Sequence, residues 1–163
     1  MKSFYDAIKG DGMTQKTDKL FDRILVPVDG SKFSLQAVRL ATRLAIHCDS
    51  SLLLLHVLDT AVVEQLQRFS DKCHDEVNAD MEKSARGFLK DMSLEVSEED
   101  IAVDIILREG VPHEVILTEA DNWRADLIVM GKLGKRGVSR ILLGSVAERV
   151  IEFTRLPVML ATT

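Results

Sequence analysis

Apolar residues occur along this chain in five short runs, and the segments between the runs repeat their apolar residues at helical spacing. The runs are RILVPVD at 23–29, SLLLLHV at 51–57, IAVDIILRE at 101–109, ADLIVMG at 125–131 and PVMLA at 157–161. Short, nearly continuous apolar runs are typical of strands with both faces buried. The pattern therefore predicts five strands of a sheet that is covered on both sides.

Four amphipathic segments separate these strands. Pro112 suits the first turn of the third helix, and SVAERVIEF at 145–153 predicts the fourth. The first three segments share an apolar stripe, which we interpret as core: Phe33, Ala37, Leu40, Ala41 and Leu44; Val62, Leu66, Phe69, Cys73, Val77, Met81, Ala85, Phe88, Leu89 and Met92; Val115, Ile116, Ala120 and Trp123.

Strands and helices thus alternate along the whole sequence. Right-handed crossover connections turn such an alternation into a parallel sheet with helices on both faces. We predict a single doubly wound α/β domain over residues 21–163 and assume the strand order 3-2-1-4-5 for its five-stranded parallel sheet. Residues 1–20 form a polar N-terminal arm before it, and LEVSEED at 94–100 predicts a solvated acidic loop.

Composition and charge narrow the functional classes. No apolar run approaches the roughly 18 residues that span a bilayer, and Asp6, Lys9 and Asp11 interrupt any secretory signal near the start. We therefore expect a cytoplasmic protein without membrane contact. The net charge of −5 disfavours nucleic acid as a partner, because the surface as a whole repels phosphate.

The two cysteines, Cys48 and Cys73, have no CxxC spacing, so a disulfide framework is not expected. Each adjoins a histidine and lies close to an aspartate, in HCD at 47–49 and CHD at 73–75. Adjacent residues on a helix point to different faces, which is unsuitable for a shared metal ion. We interpret both cysteines as buried thiols beside solvated histidines.

Two loops follow strands at the edge of the sheet where ligands of this fold class bind. The first, VDGSKFS, has Asp29 at the strand end and Ser31 or Ser34 as a cap for the next helix. The second begins in MGKLGKRGVSRILLGSVAERV at 130–150. If the first and fourth strands are neighbours, these loops face each other across a crevice.

The second loop predicts an anion site. Its four cations oppose the net charge of the chain: Lys132, Lys135, Arg136 and Arg140. Gly131 and Gly134 let the backbone approach a ligand, and Gly144 with Ser145 begins a helix whose free N–H groups favour an anion. Ser145 and Glu148 also fit a capping box, S-x-x-E, which is a purely structural explanation for both.

Neither GxxxxGK[ST] nor GxGxxG is present, but Gly131-x2-Gly134-x9-Gly144-Ser145 resembles the G-x2-G-x9-G-[S/T] motif of the universal stress protein family. The resemblance covers residues 21–163, from ILVPVDGSKFSLQAVRLA through ADLIVMG and GVSRILLGSVAERVI to LPVMLAT. It implies ATP in the crevice, with Mg²⁺ or Mn²⁺ as a possible companion of the phosphates. The implied adenosine side is Pro27, Val28, Asp29 and Val57; the implied phosphate side is Met130, Gly131, Gly134, Gly144, Ser145 and Val146.

Three positions, His56, Lys132 and Leu133, need separate comment. We interpret His56, beside Val57, as a strand histidine satisfied in the core in preference to a ligand contact. Many relatives have Ser-His between the first two glycines, whereas this chain has Lys132 and Leu133. The replacement alters the contacts to phosphate or to a metal beside it, so ATP and other adenine nucleotides both stay open as ligands.

The resemblance also implies a homodimer through the last strand, because PVMLA would form an uncovered sheet edge.

Three functions are compatible with these observations. We favour an ATP-binding stress-response regulatory protein, in which bound nucleotide tunes the stability or partner surface of the dimer. A slow ATPase or phosphotransferase would need a base, and Asp29 is the obvious carboxylate, although it suits a ribose hydroxyl better. A nucleotide-free dimeric adaptor is disfavoured by the intact glycine motif.

Overall fold

The computed structural model describes residues 19–69, 73–97, 100–134 and 143–162, which contain five strands and five helices. The strands are β1 Arg23–Pro27, β2 Ser51–Asp59, β3 Val103–Gly110, β4 Leu127–Gly131 and β5 Val158–Ala161. The helices are α1 Lys32–Cys48, α2 Thr60–Arg68, α3 His74–Ser97, α4 Pro112–Trp123 and α5 Ser145–Phe153.

All four strand pairings are parallel, in the order β3-β2-β1-β4-β5. β1 lies centrally, with Leu25 beside Leu53 on one side and beside Ile128 on the other. The doubly wound fold and the 3-2-1-4-5 order are therefore confirmed. The chain adds strands on one side of β1 up to β3 and then crosses to the other side, so the order reverses between β1 and β4.

Alternate residues of the central strands enter two separate cores. Ile24, Val26 and Leu54 pack with α1 and α3 on one face of the sheet. Leu25 and Ile128 pack with α4 and α5 on the other face. Fully burying a leucine or isoleucine contributes about 1.5–3 kcal/mol, and both faces use such residues. The sheet consequently lies between two layers of helices, with one core on each face.

The start of α1 is fixed by side chains of the preceding loop. Ser31 is the N-cap, and its hydroxyl accepts a hydrogen bond from the Ser34 N–H at 3.1 Å. Asp29 accepts the Ser31 N–H at 2.9 Å through Oδ1. Of the two serines predicted as caps, Ser31 performs this role. The loop after β1 therefore holds Asp29 in a defined orientation.

The apolar stripe predicted between the second and third strands includes residues that are not in the core. The segment forms two helices, and Leu66, Phe69 and Cys73 are exposed instead of lying in the core. α2 begins directly after β2 ends, beyond the edge of the sheet, and Val63 is its one buried residue. Periodicity shows which face is apolar, but not whether the sheet extends far enough to cover it.

Three further expectations are corrected. Residues 94–97 belong to α3, which buries Val96, so the predicted acidic loop loses its first half. Cys48 is half-buried and Cys73 exposed, so neither is a buried thiol. β3 is an edge strand among the described strands and exposes Ile105, so the expected burial on both faces fails for this strand.

The predicted arm at 1–20 lies outside the described residues except for its last two. Of these, Lys19 forms an ion pair of 2.8 Å with Asp49, the residue that ends α1. Within the described ranges, no helix is long and apolar enough to cross a membrane.

Candidate functional site

A cavity of about 660 Å³ opens at the carboxyl edge of the sheet, where β1 and β4 lie side by side. Its volume falls in the usual range for small-molecule sites. The position is the switch point of the strand order, where ligands bind in open α/β sheets. A shallower hollow of about 280 Å³ between α3 and β3 lies away from both glycine-containing loops.

The structure places all ten sequence-predicted site residues in the lining of this one cavity. They are Pro27, Val28, Asp29, Val57, Met130, Gly131, Gly134, Gly144, Ser145 and Val146. They come from the ends of three strands and the start of α5. Their contact with a ligand stays a prediction, but their convergence is a structural fact.

Sequence analysis missed further lining residues. Four of them are apolar and come from α2, α3 and α4: Val62, Met81, Pro112 and Ile116. Two are carboxylates: Asp59 and Glu148. Asp59 ends β2, and Pro112 follows β3. All parallel strands end at the same edge of the sheet. Position at a strand end was therefore a signal that could have identified Asp59 and Pro112.

The loops after β1 and β4 meet at Asp29 and Gly134. A Cβ on Gly134 would lie 2.8 Å from Oδ2 of Asp29. Real Cβ atoms do not approach an oxygen so closely, so a side chain at 134 would force the Asp29 carboxylate to move. The two loops therefore face each other across the crevice, as the sequence predicted.

Gly131 also meets a packing requirement that the sequence did not reveal. Its Cβ would lie 2.8 Å from the carbonyl carbon of Phe33 and 3.0 Å from the Phe33 oxygen. The missing side chain thus makes room for the first turn of α1 against β4. Packing within the protein is sufficient to explain this glycine, and its contact with a ligand stays a prediction.

The start of α5 corrects the capping-box interpretation. Gly144 is the N-cap, without a side-chain cap, and Ser145 is the first residue of the helix. A capping box needs its serine as the N-cap and its glutamate as the third helical residue, whereas Ser145 and Glu148 are the first and fourth residues of α5. The Gly144 N–H donates to the Lys132 carbonyl at 2.9 Å, which fixes this helix start against the end of β4.

Residues at the start of α5 also line the cavity. Ser145, Val146 and Ala147 lie where helical N–H groups have no acceptor within the helix. Such a helix end favours negative charge. This end of the cavity can therefore receive an anionic group.

His56 is buried and belongs to the structural framework. Its Nδ1 lies 2.6 Å from the Val28 carbonyl, and since a carbonyl oxygen only accepts, Nδ1 carries the proton. The ring also meets Phe88 edge to face, with centroids 4.8 Å apart. These contacts support the core interpretation, and they join the ends of β1 and β2 at the cavity.

Among the described residues, one cationic side chain and three carboxylates belong to residues that line the cavity. They are Lys132, Asp29, Asp59 and Glu148. The other predicted cations, Lys135, Arg136 and Arg140, lie outside the described residues. Within the described part of the chain, no group of three or more His, Cys, Asp or Glu side chains is placed to hold a metal ion.

Fold and site together define a doubly wound α/β protein whose ligand crevice lies between the loop after β1 and a glycine loop after β4. Residues 20–162 match the model of the universal stress protein family. The chain belongs to the universal stress protein family.

Individual relatives support this assignment. Universal stress protein MJ0531 of Methanocaldococcus jannaschii is 34% identical over 142 residues, covering 87% of this chain and 82% of the relative. The solved structure of MJ0577, from the same organism, is 28% identical with a TM-score of 0.77 and covers 87% of this chain and 96% of its own. A universal stress protein from Archaeoglobus fulgidus, solved in complex with dAMP, has the same fold at 23% identity, with a TM-score of 0.64 and coverage of 86% and 98%.

Proposed function

We propose that this protein binds ATP in the cavity between β1 and β4 and acts as a stress-response regulatory protein. Bound nucleotide tunes the stability or the partner surface of a homodimer. The observation that carries the proposal is the convergence of all ten motif-related residues on a single cavity of about 660 Å³.

Two kinds of residue line the cavity, and they suit the two parts of a nucleotide. Val57, Val62, Met81 and Ile116 offer apolar surface on which an adenine can lie. The first residues of α5 and Lys132 favour phosphates. The Asp29 carboxylate, in the same lining, can accept ribose hydroxyls.

The Archaeoglobus fulgidus relative, solved with dAMP, supports an adenine nucleotide as the ligand class. This chain shares its fold, and here the cavity lies at the switch point of that fold. We propose ATP within this class because the helix start and Lys132 together suit a ligand of high negative charge.

A decisive first experiment identifies the ligand directly. Purified protein is denatured, and any released nucleotide is separated by chromatography; we expect ATP or another adenine nucleotide. Calorimetry with added ATP then gives the affinity, and release of phosphate over time measures turnover. Persistent absence of binding would favour the adaptor alternative, whereas steady hydrolysis would favour the ATPase alternative.

Replacing Asp29 by alanine should weaken ATP binding by about 1–3 kcal/mol, because a desolvated acceptor for the ribose hydroxyls is lost. The measurement is calorimetric titration. Asp29→Asn is the matched control for the loop, since its amide oxygen can still accept the Ser31 N–H that Asp29 holds at 2.9 Å. Wild-type affinity in both variants would remove Asp29 from the binding site.

The proposed homodimer uses the open edge of β5. Among the described strands, β5 pairs with β4 alone. The carbonyls of Pro157 and Ala161 accept the N–H groups of Ile128 and Lys132 at 3.1 and 2.9 Å. In a parallel ladder these groups alternate, so Met159 also faces β4, while Val158 and Leu160 direct their backbone groups to the open edge.

Val158→Pro should therefore weaken the dimer, because proline removes an outward N–H from the edge that a second copy would pair with. We expect the dimer dissociation constant in sedimentation to rise about tenfold or more. Val158→Ala keeps the N–H and should stay dimeric. Met159→Pro removes an inward N–H and should destabilise the protomer itself. A folded Val158→Pro protein that still sediments as a dimer would place the interface elsewhere.

A further inference from the structure

We infer that Lys132 supplies the positive charge at the phosphate end of the cavity, so that this protein binds ATP without a divalent cation. The inference rests on the proposed function, since it concerns how the same site balances the charge of its ligand. It replaces the Mg²⁺ or Mn²⁺ that the family resemblance implies with a side chain of the protein.

The chemistry of the glycine loop gives the first reason. Residues 130–145, MGKLGKRGVSRILLGS, contain no His, Cys, Asp or Glu. Magnesium in phosphate sites is held by one or two carboxylates together with the phosphates. This part of the sequence therefore offers a metal no carboxylate, and within the described residues it contributes one cation, Lys132, to the cavity lining.

The positions of the lining carboxylates give the second reason. Asp29 accepts the Ser31 N–H at 2.9 Å, and Asp59 accepts the Ala61 N–H at 3.0 Å as the N-cap of α2. Glu148 stands in the first turn of α5. Across the described part of the chain, no three or more His, Cys, Asp or Glu side chains, these included, form a group that could hold a metal ion.

The backbone of Lys132 gives the third reason. Its N–H donates to the Ala161 carbonyl at 2.9 Å, and its own carbonyl accepts the Gly144 N–H, also at 2.9 Å. The residue is thus fixed between β5 and the start of α5, is partly buried and belongs to the cavity lining. A lysine so placed is a point charge for phosphate, the role that lysine performs in other phosphate sites.

The test compares ATP affinity by calorimetry in excess EDTA and in excess MgCl₂. We expect wild-type protein to bind ATP in EDTA at least as tightly as in Mg²⁺, because Mg²⁺ on the nucleotide competes with the Lys132 ammonium. Lys132→Met, which keeps the length of the side chain but not its charge, should weaken binding of ATP in EDTA about tenfold or more.

Two controls separate charge from structure. Adenosine carries no phosphate, so its affinity should be unchanged in Lys132→Met; a general distortion of the site would weaken adenosine as well. Lys83→Met removes an exposed cation of α3 outside the cavity lining and should leave ATP binding unchanged. In Lys132→Met, Mg²⁺ should restore part of the lost ATP affinity.

Each remaining outcome overturns the inference in a recognisable way. Wild-type binding of ATP that is lost in EDTA and restored by Mg²⁺ would show that a metal is required, while the proposed function would stand. Equal loss of ATP and adenosine in Lys132→Met would assign the residue a structural role. Failure of wild-type protein to bind ATP in either buffer would remove the inference together with the proposed function.

Discussion

Gly131→Ala is expected to destabilise the protein by about 3 kcal/mol or more, at the upper end of what overpacking a core costs. A single methyl group at this position would lie 2.8 Å from the Phe33 carbonyl carbon and 2.9 Å from its Cβ. Neither atom is the end of a flexible side chain, so α1 would have to move away from β4. That movement would separate α1 from β4, and both contribute residues to the cavity lining.

Urea unfolding of the nucleotide-free protein measures this effect, and the chain provides a matched control. Gly87 lies within α3, and a Cβ there would meet nothing within 4 Å. Gly87→Ala should raise the free energy of unfolding by about 0.5–1 kcal/mol, the gain of replacing glycine inside a helix. Equal stability of the two variants would show that α1 and β4 are less closely packed than described.

Gly144→Val is expected to abolish the binding of ATP while leaving most of the fold intact. A Cβ on Gly144 would lie 3.4 Å from the Leu133 Cα and from the Lys132 oxygen, so one methyl group fits and a valine does not. The backbone here has φ −74° and ψ 148°, which valine adopts readily. The added bulk should therefore displace the glycine loop from the start of α5, where the phosphates are proposed to lie.

Thermal unfolding with and without ATP tests this prediction. At a hundredfold excess over its dissociation constant, ATP should stabilise wild-type protein by about 2.7 kcal/mol. We expect no such stabilisation of Gly144→Val, a smaller loss of stability without ligand than for Gly131→Ala, and an intermediate response of Gly144→Ala. A folded Gly144→Val protein with the full wild-type stabilisation would show that this loop does not hold phosphate.

The parts of the fold that depend on local pattern could be predicted from the sequence. Consecutive apolar residues such as Leu52–Leu55 are buried on two faces because parallel strands carry helices on both sides. The carboxyl ends of these strands share one edge, so residues as distant as Asp29 and Ser145 could be assigned to one site. Periodicity was sufficient for the first conclusion, whereas the second also needed an assumed strand order and the resemblance of the glycine motif to that of the family.

The errors arose where contacts between distant segments decide the outcome. S-x-x-E at 145–148 matches a capping box, yet the helix begins after Gly144, whose N–H bonds to the Lys132 carbonyl. Nothing in the sequence indicated that the glycine at 131 is also required by packing against the backbone of Phe33. Leu66 and Phe69 follow helical periodicity, but the sheet does not reach them. A local pattern contains none of this information.

The hydrogen bond between the Gly144 N–H and the Lys132 carbonyl bears on how position 132 can evolve. It joins the residue after β4 to the residue before α5 at 2.9 Å. Because the bond uses only backbone groups, a substitution of the Lys132 side chain leaves both partners of the bond in place. The charge at position 132 can thus change during evolution while the start of α5 keeps its anchor to β4.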